Sequence, residues 1–188
     1  MQRMKIGLCF LAITFMLGGC STSGGTTPQG KRQAVLSMRN GVLSDLYKLH
    51  PQAKSEIASA PGYAVFSNAN VYLLFISLGG GYGVVKDNKT GKDTFMKMGE
   101  AGIGLGLGVK DFRAVFIFRN RLVMDQFVNS GWEFGGQADA AAKASEKGAA
   151  VGGQVVIGDI TIYQMTESGL ALQATVNGTK YWKDDELN

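Results

Sequence analysis

The sequence predicts an α+β domain, a mainly antiparallel β-sheet or partial barrel carrying two or three short helices. Three observations predict it. Helical periodicity dominates the residues ahead of Pro61, short apolar runs separated by turn residues follow from Gly62, and glycines stand inside those runs. With 27 Gly but only 3 Pro in 188 residues, the glycines are not those of a disordered linker and need a structural reason.

Lys31 to Leu49 reads as an amphipathic helix. Val35, Met38, Val42, Leu46 and Leu49 recur at three- and four-residue steps, and Gly41 weakens it. A second helix, Pro51 to Ala60, opens with proline in its first turn and stops before Pro61. Tyr63–Phe66 is a short strand, and Val71–Val85 a long apolar run interrupted by Gly79, Gly80, Gly81 and Gly83. The polar turn Asp87–Lys92 leads as a hairpin into Asp93–Met98. Gly102, Gly104, Gly106 and Gly108 alternate with aliphatic residues, which in a strand predicts bare backbone on one face and an apolar stripe on the other. Ala114–Phe118 is a further strand, and Asn120 can cap a short helix with Leu122, Val123 and Phe127. Alternation in Gln137–Lys147 favours a strand, against the helix propensity of its alanines. Ile160–Tyr163, Leu170–Val176 and Thr179–Trp182, joined by Ser168-Gly169 and Asn177-Gly178 turns, complete a meander.

Ahead of this domain stand a basic start (Arg3, Lys5), an apolar run from Ile6 to Leu17, and Gly18-Gly19-Cys20. These are the parts of a secretory signal, and the run is shorter than the ~20 residues that cross a bilayer. Leu17-Gly-Gly-Cys20 resembles the bacterial lipobox. That resemblance implies residues 1–19 as a signal peptide, a diacylglyceryl group on the sulfur of Cys20, and an N-acyl chain on its amine. Ser21 in place of an aspartate implies an outer-membrane anchor in the cell envelope, facing the periplasm. Residues 20–30 would be the lipidated cysteine and a Gly/Ser/Thr tether, and residues 31–188 one domain. The only other cysteine, Cys9, would leave with the signal, so no intramolecular disulfide is expected.

From about Val35 onward the chain resembles the SYLF family of lipid-binding domains. The residues that carry the resemblance are Ala60-Pro-Gly-Tyr-Ala-Val-Phe66, Gly79-Gly-Gly-Tyr-Gly83, Gly102-Ile-Gly-Leu-Gly106 and Val115-Phe-Ile-Phe118. Phe127-Val-Asn-Ser-Gly-Trp-Glu-Phe-Gly135 and Ser168-Gly-Leu170 continue it in order. The resemblance implies an acidic phospholipid or phosphoinositide ligand and no catalysis. A lysine and glycine that many members carry after the first strand are replaced by Asn70-Val-Tyr-Leu-Leu74, so a headgroup contact through that lysine does not carry over.

The formal charge is +4, and about +2 without Arg3 and Lys5, too balanced for an electrostatic nucleic-acid binder. The glycine runs lead into strands rather than helices, which excludes a dinucleotide fingerprint. His50 is the only histidine, read as a capping or surface residue. It has no partner for a conventional zinc set, no cofactor is indicated, and no Gly-x-Ser-x-Gly elbow is present. Asp184-Asp185-Glu186 reads as a solvated acidic tail rather than an acid/base pair. Candidate lipid-headgroup contacts are Lys31, Arg32 and Arg39 on the first helix, and Arg113, Arg119 and Arg121 around the strand ending at Phe118. The expectation is a non-catalytic, membrane-anchored phospholipid-binding lipoprotein. Its rival is an envelope scaffold that docks a protein through the glycine-rich strand face; a small outer-membrane barrel fits poorly with the amphipathic helix and charged C-terminus.

Overall fold

The computed structural model of the chain describes residues 27–134, 154–166, 169–170 and 178–188. The expected signal peptide, Cys20, Gln137–Lys147 and Asn177 lie outside them. Thr27 caps the first helix, α1 (Pro28–Leu49), by accepting from the Gly30 amide, with Pro28 in the first turn. The helix thus starts three residues earlier than its apolar periodicity predicts. α2 (Ala53–Ser59) is the core of the second expected helix. Then come β1 (Gly62–Asp87), β2 (Asp93–Phe118), α3 (Arg121–Ser130), β3 (Trp132–Phe134), β4 (Gln154–Ile157), β5 (Ile160–Thr166), β6 (Gly169–Leu170) and β7 (Gly178–Lys183). Asn120 caps α3, as expected, by accepting from the Leu122 amide.

The seven described strands form one antiparallel sheet, which bears out the mainly antiparallel α+β class. Two long strands dominate it. β1 and β2 pair from Gly62↔Phe118 to Lys86↔Asp93 around the expected Asp87–Lys92 turn. Sequence breaks at Ser67–Asn70 and Lys110–Arg113 predicted separate short strands; each is instead continuous through the polar residues. Asn68 shows how: it is buried, and its side-chain amide donates to Glu100 Oε2 at 2.9 Å. A buried polar group is tolerated in a strand when a distant partner satisfies it.

β2 has one edge along β1. Its other edge takes β7 at Met96–Ala101 and β5 at Arg113–Phe118. β7 lies between β2 and β3 rather than closing a meander after β6. β4, which the sequence reading missed, reaches β5 through a two-residue Gly158-Asp159 turn with Gly158 at φ +55°.

The ribbon is doubled over. A Cβ added at Gly62 would strike the Lys86 carbonyl oxygen, one at Gly81 that of Ser67, and one at Gly83 that of Val65. The hairpin end of β1 therefore lies against its own beginning, backbone to backbone, and these glycines let it do so. In β1 the residues facing the inner core change from even-numbered (Ala64, Phe66) to odd (Val85), whereas β2 stays even (Met96, Met98, Ala114, Phe116, Phe118). A β-bulge reconciles them. Leu74 pairs with Gly106 and Ile76 with Ile103, so two residues of β2, Gly104 and Leu105, oppose one of β1. Across the same shift Gly106 and Gly108 pair with Leu74 and Tyr72, and Gly102 pairs with Ser77.

Helices seal both sides. Inside the fold, Met124 and Phe127 of α3 pack with Phe66, Phe116, Phe118 and Tyr181. The Phe127 ring lies 5.1–6.2 Å from those four rings and from Trp132. On the outside α1 spans both halves of the ribbon. Val35 meets Val84 and Phe95 of the hairpin end, while Val42, Leu43 and Leu46 meet Tyr63, Val65, Val115 and Ile117 of the other end. Each buried residue of this size contributes about 1.5–3 kcal/mol.

Candidate functional site

Among the six basic side chains proposed from sequence, five are engaged within the molecule. Lys31 is paired with Glu186, and Arg32 Nε donates to the Leu187 carbonyl at 2.7 Å. Arg39 Nη1 lies 2.9 Å from Asp93 Oδ1, and Arg113 Nη1 3.5 Å from Asp45 Oδ2. Arg121 grips both oxygens of Asp87, at 2.9 and 2.8 Å, and reaches Asp125 at 3.2 Å. That fork and the amides of Lys89 and Thr90 hold the Asp87 carboxyl well below the usual carboxylate range. Arg119 alone of the six is exposed with no ion pair among the described residues. These cations bolt helices and tail to the sheet; they do not converge on one basic patch.

Of the sequence glycines, Gly81 and Gly83 serve the fold-back. Gly80, by contrast, has nothing within 4 Å of a would-be Cβ. The side chains around Gly102–Gly108 lie outside what is described.

Of the clefts that the described residues form, two are the larger. One, of about 390 Å³, lies between α2 and the end of β2, lined by Glu56, Ser59, Ala60, Pro61, Ile117 and Arg119. Glu56 also accepts from the Tyr163 hydroxyl at 3.0 Å, and burial together with this bond raises the Tyr163 pKa well above the usual phenol value. His50, at the C-cap of α1, sets its ring 5.0 Å from that of Tyr163, with Nδ1 buried and unpartnered. It caps the helix, as expected, and is half-buried at the helix junction.

The other, larger at about 520 Å³, runs between the start of α1, the C-terminal tail and the outer face of the hairpin end. Gly80 lines it as bare backbone, and its cross-strand partner Gly99 lies next to it. The indole of Trp182 leans over Gly99, where a Cβ would come within 3.2 Å of Cη2, and Trp182 remains 39% exposed. Tyr82, Lys31, Lys97, Asp184 and Glu186 line the rim. Lys97 lies 3.1 Å from Asp184, a carboxylate that is itself buried.

The acidic run expected to be solvated is so only in part: Asp185 and Glu186 are exposed, whereas Asp184 is buried. Asp184 and Glu186 each hold a lysine, Leu187 is buried with Val35, Val84 and Phe95, and the Asn188 side chain bonds both the amide and carbonyl of Phe95, at 2.9 and 2.7 Å. Sequence reasoning named neither Trp182, Tyr82 nor Lys97 as functional. The available signal was alternation in Gly178–Lys183 that leaves an aromatic on the solvent side of an edge-proximal strand.

Among the described residues no three His, Cys, Asp or Glu side chains gather to hold a metal ion, and no helix is long and apolar enough to cross a membrane. No protein-family model matches the chain. It is 35% identical over 161 residues, 86% of its length, to a protein of Aeromonas veronii named beta cell expansion factor A, and spans 60% of that relative's length.

Proposed function

We propose that the chain is a non-catalytic lipoprotein, anchored through Cys20 to an envelope membrane, whose SYLF-like β domain binds phospholipid at that surface. The observation that supports it most is the middle of the doubled ribbon. Between Ala101 and Arg113 the described pairing of β2 is with β1 alone, beyond the reach of β7 and β5. The strand segments there read Val71-Tyr-Leu-Leu-Phe-Ile76 and Ile103-Gly-Leu-Gly-Leu-Gly-Val109. An apolar two-stranded segment continuing past the described flanking strands suits contact with a lipid surface. The guanidinium of Arg119, without an ion pair among the described residues, supplies a headgroup contact elsewhere on the domain, and the paired cations supply little.

A fragment starting at Ser21 is expected to co-sediment with phosphatidylglycerol vesicles and to lose part of that binding as salt rises. Absence of binding at every salt concentration removes the lipid reading. A second reading, docking of a protein in the envelope, is favoured by the open space over Gly80; one abundant adduct on crosslinking in intact cells would support it.

A further inference from the structure

We propose that the groove lined by Gly80 and Trp182 is a binding site for a neutral saccharide of two or three pyranose rings. Its size falls within the roughly 300–1,000 Å³ of small-molecule sites.

The floor comes first. Two glycines paired across adjacent strands leave a flat patch of backbone in the sheet, and at Gly80 the space above is open. Beside it stands Trp182, two-fifths exposed and braced against Gly99. A pyranose ring presents a flat face of weakly positive C–H groups, the complement of the negative face of an indole. A bare floor next to a braced, exposed indole accepts a flat ring edge-on to the backbone and face-on to the aromatic.

The rim decides between a saccharide and an anion. Both of its lysines already carry a carboxylate, Lys31 with Glu186 and Lys97 with Asp184. The rim is therefore close to neutral, yet rich in strong donors and strong acceptors set side by side. An anionic headgroup would have to displace two carboxylates. Sugar hydroxyls, each donor and acceptor at once, can bridge a paired ammonium and carboxylate without breaking them. The phenol of Tyr82 adds one more group of the same dual kind.

This inference is independent of the lipid reading, which rests on another part of the sheet. Its test uses the full chain in a detergent without a sugar headgroup, titrated with cellotriose and with triacetylchitotriose while tryptophan emission and heat are followed. At least one trisaccharide is expected to bind saturably, below about 10 mM. Trp182→Ala should weaken binding tenfold or more. Gly80→Leu should do the same with an unchanged melting temperature, because its side chain enters open space above the floor. Arg119→Ala, in the other cleft, should leave affinity unaltered. Absence of heat and of emission change with both sugars overturns the proposal, as does binding that neither Trp182→Ala nor Gly80→Leu affects. So does loss of phosphatidylglycerol-vesicle binding in Gly80→Leu without any saccharide binding in the parent chain, which would assign the groove to a lipid headgroup instead.

Discussion

At Gly83 and Gly80, three residues apart in one strand, the same substitution has opposite consequences. A Cβ at Gly83 meets the Val65 carbonyl and the Phe66 ring, whereas one at Gly80 meets nothing. Gly83→Ala is expected to destabilise the fold by about 1–3 kcal/mol through overpacking. Gly80→Ala should change stability by less than about 0.5 kcal/mol. Urea denaturation of the two variants compares them directly. Asp87 carries a pH dependence. Its folded pKa is depressed by the Arg121 fork, so the folded state holds its proton less tightly than the unfolded state does. Its contribution is complete above the unfolded value near 4 and is lost as pH falls further. Asp87→Asn should therefore lower the melting temperature by a constant amount from pH 7 to about pH 5, with the gap to the parent chain closing below about pH 4. Neither distinction was legible in the sequence. The two glycines stand in one motif and the aspartate in one turn, and only the doubling of the ribbon decides which atoms face them.

Local chemistry made the helices and the hairpin turn readable. Apolar spacing found α1, Asn120 marked the start of α3, and the polar stretch Asp87–Lys92 lies where β1 turns into β2. The length of β1 and β2 was not readable, because Asn68 interrupts the apolar pattern and is satisfied by Glu100, thirty-two residues away. In the C-terminal tail Asp184 departs from the solvated run for a similar reason: an acidic residue looks solvated until the lysine opposite it is known. Two expected outcomes follow for these elements. Gly41 is exposed within α1 and has open space around it, so Gly41→Ala should raise stability by about 0.5–1 kcal/mol, measured by the urea midpoint. Leu187 is buried between α1 and the hairpin end, so Leu187→Ala should cost about 2–5 kcal/mol. Truncating a surface leucine such as Leu122, 76% exposed, should cost far less.

Among the described residues the molecule is built on one ribbon bent upon itself, with three separate pieces of chain stapling it. α3 joins the halves from within, α1 from without, and the last five residues tie α1 to the hairpin end. The order of these staples along the chain has a mechanical consequence. α1 begins over the hairpin end, where Lys31 and Arg32 are held by Glu186 and Leu187, and only its later turns rest on the opposite half. Traction arriving through the residues ahead of Pro28 would thus fall first on the C-terminal clasp. That clasp would yield turn by turn as a shock absorber, while the long strands, loaded only through the far end of the helix, kept their register.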